Sequence, residues 1–117
     1  MSKVTNITPQ KFAKLNHQPL LIDVRSRLEY NSGHAPNAQN LSLQRLMLSQ
    51  LPFLQKVMLP QWFRELPKDK PVAVVCLTAH RSPIAAKRLT QLGFQKVMNI
   101  AGGMMEWRSR NLDIIQE

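Results

Sequence analysis

The four residues Val-Ala-Val-Val at 72–75 restrict the choice of fold more than any other part of the sequence. Every side chain in this run is apolar, so hydrophobic and polar residues do not alternate as they do in a strand with one solvated face. A strand of this kind is covered on both faces, which is typical of parallel sheets with helices on both sides. The run therefore predicts a central strand of an α/β domain.

Further strands and several helices are predicted on either side of this run. The further predicted strands are 20–24, 38–41 and 96–100. One helix is predicted to begin at Thr8-Pro9 and another at Gly102-Gly103. A third is predicted over 82–92, with Ile84, Ala85, Leu89 and Leu92 on its buried face. Strands that alternate with helices predict a three-layer α/β domain, in which a central, mostly parallel sheet carries helices on both faces. The 117 residues suit one such domain, spanning 1–117.

The segment 42–66 is long and hydrophobic, and its apolar residues recur at spacings of three and four. These residues are Met47, Leu51, Leu54, Met58, Trp62 and Leu66. The spacing predicts a helical stripe, which Pro52 and Pro60 divide into two or three pieces. One interpretation is a pair of core helices, and the other is a lid or a surface for a partner.

The charge of the chain is strongly positive, with 16 Lys and Arg residues against 7 Asp and Glu residues and a formal net charge of +9. The basic residues are scattered, and aromatic residues make up only 6% of the chain, so a nucleic-acid interface with base-stacking side chains is not expected. The charge suits a small anionic substrate or an acidic protein partner, which the field of the protein would attract.

The patterns of cysteine, histidine and hydropathy exclude several classes of site and of protein. Cys76 is the only cysteine, which excludes an intrachain disulfide, and the histidines at 17, 34 and 80 are too scattered for a metal-ligand pair. We therefore expect no metal and no cofactor. No apolar run reaches the roughly 18 residues of a membrane span, and 1–15 lacks the apolar segment of a secretory signal. The expected protein is soluble and cytoplasmic, with no membrane partner and a reduced Cys76.

Cys76 follows the central predicted strand directly, and 77–81 connects it to a helix that begins at Ser82. Ligands of open α/β sheets bind at the carboxyl ends of the strands. A lone cysteine at such a place is most often a small buried hydrophobic residue. A short loop that leads into a helix N-terminus, however, turns backbone N–H groups inward and binds anions. A thiolate held there, near Arg81 and a protonated His80, is expected to be nucleophilic.

Three segments of the sequence match, in order, the motifs of one known family. They are Leu-Ile-Asp-Val-Arg at 21–25 with Glu29-Tyr30 and Gly-His-Ala-Pro-Asn-Ala at 33–38, then Cys-Leu-Thr-Ala-His-Arg-Ser at 76–82, then Gly-Gly-Met-Met-Glu-Trp at 102–107. With them the chain resembles the single-domain rhodaneses, a family of thiosulfate sulfurtransferases and their relatives. The resemblance spans nearly the whole chain and implies a rhodanese-like α/β domain.

The resemblance also implies a function for the loop after the central strand. Cys76 would be the catalytic nucleophile that carries a persulfide, and the substrate and persulfide would be bound by Leu77, Thr78, Ala79, His80 and Arg81. The implied donor is a small anionic sulfur compound such as thiosulfate. The acceptor must be an external thiol or a protein cysteine, because the chain holds no second cysteine. Many family members have glycine where Ala79 stands, and a positive φ there would strain Ala79 by about 1 kcal/mol.

Four polar residues near these motifs have more than one interpretation. Asp23 and Arg25 are expected to support the site as a structural ion pair beside the loop rather than to act in catalysis. Arg81 either clamps an anionic donor or turns away as a brace toward a carboxylate. His34 is expected to be structural.

Two functions other than sulfur transfer stay open. One is a rhodanese-like interaction module without activity, with 42–66 as its docking surface. The other is a cysteine phosphatase on the related scaffold. Those phosphatases place their arginine six residues after the cysteine, whereas Arg81 comes five residues after Cys76 and Ser82 holds the sixth position.

Overall fold

The computed structural model describes residues 3–116 and contains one sheet of five parallel strands. The strands are β1 (Lys3–Ile7), β2 (Leu20–Asp23), β3 (Gln39–Asn40), β4 (Val72–Val75) and β5 (Lys96–Ile100). Their order across the sheet is β1-β5-β4-β2-β3, so β4 is central, and it is buried at every position. The four strands predicted from the sequence are confirmed.

Helices cover both faces of this sheet in the described part of the chain. They are α1 (Pro9–Ala13), α2 (Arg27–Ser32), α3 (Leu43–Leu48), α4 (Gln55–Met58), α5 (Gln61–Arg64), α6 (Ser82–Gln91) and α7 (Gly103–Ser109). The three predicted helices are confirmed as α1, α6 and α7. Thr8 caps α1, because its hydroxyl oxygen accepts a hydrogen bond from the Lys11 N–H at 3.2 Å.

The edge strand β1 is the one strand that the sequence does not predict. Its first four residues are exposed and only Ile7 is half-buried, so the segment lacks the apolar pattern of a strand. It pairs with β5 along its whole length, from Lys3 opposite Lys96 to Ile7 opposite Ile100. The strand therefore forms because β5 offers backbone hydrogen bonds at an open edge, which no side-chain pattern reveals.

Successive residues of β4 point into two separate apolar layers, one on each face of the sheet. Val72 and Val74 pack in one layer with Cys76, while Ala73 and Val75 pack in the other. The first layer includes Leu46 of α3, Phe63 of α5 and Leu89 of α6, and the second includes Phe12 of α1, Tyr30 of α2 and Trp107 of α7. This arrangement confirms the three-layer α/β architecture.

The predicted division of the segment 42–66 is confirmed, because Pro52 begins a 3-10 turn (Pro52–Leu54) and Pro60 precedes the separate helix α5. The predicted stripe is not the buried face, since none of its six residues is buried, although Trp62 and Leu66 pack partly buried against the core. The buried apolar side chains of the segment are Leu46, Leu59 and Phe63. The interpretation as core helices holds in part, and the interpretation as a lid or a partner surface stays a prediction. Three residues belong to the core, whereas four large apolar side chains stay exposed, namely Leu48, Leu51, Phe53 and Val57.

The buried face of α6 also differs from the predicted one at Ile84. This side chain is 48% exposed, whereas Ala85, Ala86 and Leu89 are buried against the sheet. Successive residues of an α-helix point about 100° apart, so a face centred on the two alanines leaves Ile84 beside it. The consequence is an apolar residue on the surface, close to the start of α6.

A buried ion pair fixes the chain where it leaves β2. The Arg25 guanidinium donates from Nη2 to Asp23 Oδ2 at 2.8 Å and from Nε to Asp23 Oδ1 at 3.0 Å. The same Nη2 donates to the Gly33 carbonyl at 2.7 Å, and the Asn40 amide donates to the carbonyls of both ion-pair residues. The two charged side chains are 0% and 2% exposed. The expected ion pair is thus present, and it ties the end of β2 to Gly33 and β3.

Substitution of Asp23 by Asn is expected to destabilise the fold strongly, because it leaves the Arg25 charge buried without a counter-charge. The expected loss is about 3–5 kcal/mol in the free energy of unfolding, measured by urea denaturation. Glu106→Gln, which breaks the exposed pair of Glu106 with Arg110, serves as the control and should cost less than about 1 kcal/mol. Equal losses in the two variants would contradict this account of the buried pair.

Candidate active site

Cys76 is the first residue after β4 and lies at the carboxyl edge of the parallel sheet. Cys76 is 1% exposed, and its Sγ lies 3.4 Å from the hydroxyl oxygen of Ser82, the first residue of α6. A thiol there donates to Ser82, whereas a thiolate would accept a hydrogen bond from the same hydroxyl. Ser82 is itself fully buried. The contact between the Ser82 hydroxyl and the Cys76 sulfur is not predicted from the sequence, where Ser82 is simply the last residue of the loop motif.

The loop 77–81 is held from one side by the start of α7. The Met104 N–H donates to the Cys76 carbonyl at 2.8 Å, and the Met105 N–H donates to the Leu77 carbonyl at 2.9 Å. These bonds satisfy N–H groups of the first turn of α7, which have no partner inside their own helix. They also direct the first two carbonyls of the segment toward α7.

Gly103 allows this contact because it has no side chain. Its φ is +62°, and a Cβ atom there would lie 2.5 Å from the carbonyl oxygens of Cys76 and Thr78. No rearrangement of a side chain relieves such a clash, since the atoms in the way belong to the backbone. The Gly-Gly pair recognised in the sequence is therefore the support of the loop, a function that its motif alone does not reveal.

The backbone N–H groups of 77–81 make no hydrogen bond to any residue in the described range 3–116. With the carbonyls of Cys76 and Leu77 directed at α7, these donors have no partner among the described residues, which is a requirement for binding an anion. The N-terminus of α6, a helix of ten residues, adds its own positive end to the same place. A negative charge on Cys76 or on a sulfur attached to it would be stabilised here.

Arg81 acts as a brace and is turned toward Glu29. Its Nη1 and Nη2 donate to Glu29 Oε1 and Oε2 at 2.7 and 2.9 Å, a bidentate pair. Glu29 Oε1 also accepts from the N–H and the hydroxyl of Ser26, so the same carboxylate closes the capping box of α2. The structure thus chooses between the two roles that the sequence leaves open, and it couples the loop to α2.

The hydrogen bonds from Arg81 lower the pKa of Glu29 from 4.5 to about 2, against the opposing effect of burial. The pKa of Arg81 is raised, chiefly by the same hydrogen bonds. Because the pKa of the carboxyl is lowered on folding, its stabilising contribution is complete above pH 4.5 and is lost as the pH falls toward 2. The brace is therefore charged throughout the neutral range.

The remaining loop residues lie nearer to solvent. Leu77, Ala79 and His80 are exposed and Thr78 is half-buried, and His80 makes no hydrogen bond to any described residue. Among the described residues, a positive φ outside glycine occurs only at Asn37 and Asn111, so Ala79 does not carry the backbone strain considered above. The loop accommodates alanine at this position without a left-handed conformation.

His34 and possible metal ligands lie outside this arrangement. His34 is buried, its Nδ1 lies 2.9 Å from the Tyr30 carbonyl, and its ring stacks on Tyr30 with the centroids 3.8 Å apart. This is the structural role expected for it. Within 3–116, no group of three or more His, Cys, Asp or Glu side chains is placed to hold a metal ion. None of the helices described is long and apolar enough to cross a membrane.

Gly103→Ala is expected to destabilise the protein more than Gly93→Ala does, although both residues have a positive φ. At Gly93 a Cβ meets only the Lys68 Cγ at 3.9 Å, so the expected cost is the left-handed backbone alone, about 1–2 kcal/mol. At Gly103 the clash with the loop adds about 1–3 kcal/mol. Urea denaturation of both variants measures the difference, and similar losses would show that α7 does not constrain the loop.

Comparisons with known proteins agree with this geometry. The thiosulfate sulfurtransferase GlpE of Tolumonas auensis is 32% identical over 110 residues, which cover 92% of each chain. The solution structure of a polysulfide-sulfur transferase homodimer from Wolinella succinogenes is 31% identical, with a TM-score of 0.71 over 97% of this chain and 80% of that chain. A rhodanese-related protein from Thermoplasma volcanium, at 24% identity, shares the fold with a TM-score of 0.75 over 97% of this chain and 99% of that chain.

The family model for the rhodanese-like domain matches residues 8–110, a range that contains all three motifs and the whole loop after Cys76. The match covers most of the chain, and the relatives named as sulfurtransferases cover it over nearly the same length. The chain therefore belongs to the rhodanese-like domain family.

Proposed function

We propose that this protein is a sulfurtransferase that carries a sulfane sulfur on Cys76. The observation that supports this most directly is the position of the Cys76 sulfur beside a loop whose backbone N–H groups have no partner among the described residues. Such a loop stabilises a negative charge on sulfur without a metal or a cofactor. The sulfurtransferase names of its relatives support the same reaction class.

The reaction has two steps, each a substitution at sulfur. In the first, the Cys76 thiolate attacks the outer sulfur of thiosulfate, the sulfur–sulfur bond of the donor breaks, and sulfite leaves with the bonding electron pair. The product is a Cys76 persulfide anion, and the total charge is unchanged. In the second, a nucleophile attacks the outer sulfur of the persulfide, and Cys76 departs as a thiolate. With cyanide as the acceptor the product is thiocyanate.

In the proposed reaction, each part of the site around Cys76 has its own role in the two substitution steps. The N–H groups of 77–81 hold the persulfide charge, and the hydroxyl of Ser82 donates to the Cys76 sulfur when it is a thiolate. The brace from Glu29 to Arg81 positions the end of the loop, while Asp23 and Arg25 hold the adjacent turn.

The acceptor in this proposal comes from outside the chain, and the reaction takes place in the cytoplasm. Cys76 is the only cysteine, so no second thiol of the same chain can receive the sulfur. An external thiol or a protein cysteine then completes the cycle. A reducing compartment keeps Cys76 available as a thiol.

Cys76→Ser is expected to abolish sulfur transfer while leaving the fold intact, because serine has nearly the same volume but is not ionised at neutral pH. Thiocyanate formation from thiosulfate and cyanide measures the activity, and the free energy of unfolding is the control. Intact mass spectrometry after incubation with thiosulfate should show one added sulfur atom on the wild type and none on the variant. Clear residual turnover in the folded variant would overturn the mechanism.

The same samples separate sulfur transfer from the two alternative functions. A phosphatase would release phosphate from p-nitrophenyl phosphate in a Cys76-dependent reaction and would form no persulfide. An interaction module without activity would show neither reaction. We expect a persulfide and no phosphate release, since Arg81 is held by Glu29 and Ser82 offers no cation for a phosphate group.

Arg81→Lys and Arg81→Ala are expected to lower kcat/KM for thiosulfate by similar factors, roughly tenfold, because lysine cannot form the bidentate pair with Glu29. Glu29→Gln should give a comparable loss, and the double variant Glu29→Gln with Arg81→Lys should lose little more than either single one. Steady-state kinetics over a range of thiosulfate concentrations measures these effects. If lysine preserves KM while alanine raises it, the residue clamps the donor by charge instead.

A further inference from the structure

A groove leads from the candidate active site across the surface between α3 and α6. Its first part is a cavity of about 720 Å³ lined by Arg81 of the loop, Val24 after β2, and Met47 and Leu48 of α3. Its second part, of about 400 Å³, lies between α3 and α6. Met47 lines both parts, so they lie next to each other on the surface. We call the two parts together the α3–α6 groove.

The α3–α6 groove has apolar side chains among its lining residues, and buried polar contacts join the two helices beside it. Ile84 and Leu48 are 48% and 45% exposed. Arg88 of α6 donates from Nε to the Leu46 carbonyl at 3.3 Å and from Nη2 to the Ser49 hydroxyl at 3.2 Å. These buried bonds join α3 to α6, so the groove is a fixed feature of the surface rather than a gap between independent helices.

The rim of the groove is positively charged, and no carboxylate lines either part. Lys87 is exposed, and Arg88 has no carboxylate partner among the described residues, whereas the charge of Arg81 is paired with that of Glu29. The sequence explains this bias, because neither 30–64 nor 70–105 contains an Asp or a Glu. Glu29 lines neither part and offsets only the charge of Arg81.

We propose that the α3–α6 groove binds a segment of an acidic partner protein whose cysteine exchanges sulfur with Cys76. The proposal rests on the proposed function and names its partner class. The groove extends far beyond what cyanide or a small thiol could fill, its sides are apolar, and its charge is complementary to Asp and Glu. It therefore fits an exposed cysteine flanked by apolar and acidic side chains.

The transfer to such a partner balances as a thiol–persulfide exchange. The thiolate of the partner's cysteine attacks the outer sulfur of the Cys76 persulfide, and the sulfur–sulfur bond to Cys76 breaks. Cys76 leaves as a thiolate with the bonding electron pair, and the persulfide is now on the partner. No oxidant or reductant is consumed.

Two matched synthetic peptides test the binding step without any sulfur transfer. One carries a serine flanked by leucines and glutamates, and the other has lysines in place of the glutamates; serine replaces cysteine so that no disulfide forms. Fluorescence anisotropy at low salt should show that the acidic peptide binds at least tenfold more tightly. Equal affinities, or tighter binding of the basic peptide, would overturn the proposal.

Three single variants locate the binding on the surface. Lys87→Glu should weaken the binding of the acidic peptide about fivefold, and Ile84→Gln about threefold, because one removes a rim charge and the other an apolar contact. Lys96→Glu makes the same change of charge at the start of β5, where the amino ends of the parallel strands lie, and should have less than a twofold effect. Equal losses in Lys87→Glu and Lys96→Glu would show attraction by net charge alone, and an unchanged affinity in Ile84→Gln would exclude the groove.

Sulfur transfer from thiosulfate to the cysteine form of the acidic peptide gives the second readout, with cyanide as the reference acceptor. Lys87→Glu should slow transfer to the peptide and leave transfer to cyanide unchanged. If the wild type forms thiocyanate but shows no preference for the acidic peptide, the groove proposal fails and the proposed function stands. If the folded protein binds the peptide through the groove but forms no thiocyanate, the proposed function fails and the groove is a binding surface only. Equal competition by a single-stranded oligonucleotide of matched charge would also overturn the proposal.

Discussion

The close approach of two backbones, the first turn of α7 and the segment 76–78, is the contact on which the candidate site depends. It requires a residue without a side chain, because a Cβ on Gly103 would lie 2.5 Å from two carbonyl oxygens. The N–H groups of Met104 and Met105 donate to the carbonyls of Cys76 and Leu77, while the N–H groups of 77–81 have no partner among the described residues. A glycine far along the chain thus allows the backbone arrangement on which the proposed binding of an anion beside Cys76 depends.

Two arginine–carboxylate pairs stand near the loop and differ in what surrounds them. Asp23 and Arg25 are almost completely buried, so loss of either partner would leave a charge without solvent, and the pair serves to fix the turn after β2. Arg81 and Glu29 are about one-third exposed, at 34% and 32%, so water screens their attraction and the cost of separating them is smaller. The first pair therefore defines the framework, while the second orients the end of the loop without locking it.

The sequence predicts those parts of the structure in which one residue pattern decides the outcome. The uninterrupted apolar run of β4 and the cap at Thr8 are local signals, and each is confirmed. The order of strands and the partner of Arg81 depend on contacts between residues far apart in the chain, such as Glu29 with Arg81, which no periodicity encodes. The edge strand β1 escapes prediction for the same reason, since its pairing with β5 is a backbone property. In the segment 42–66 the prolines predict the breaks, whereas the predicted stripe misses the buried residues Leu46, Leu59 and Phe63, because each short helix packs with its own orientation.

The positive charge of the chain and the pairing of Arg81 both bear on how the proposed site would bind an anionic donor. With Arg81 held by Glu29, the groups that would bind an anion in this proposal are the backbone N–H groups of 77–81, which have no partner among the described residues. Backbone dipoles act over a short range and select by shape. The net charge of +9 acts over a longer range, about 8 Å at physiological ionic strength, and concentrates anions of every kind near the surface. In the proposed reaction, charge would therefore govern the approach of a donor, whereas the size of the space that the loop encloses would govern its selection at Cys76.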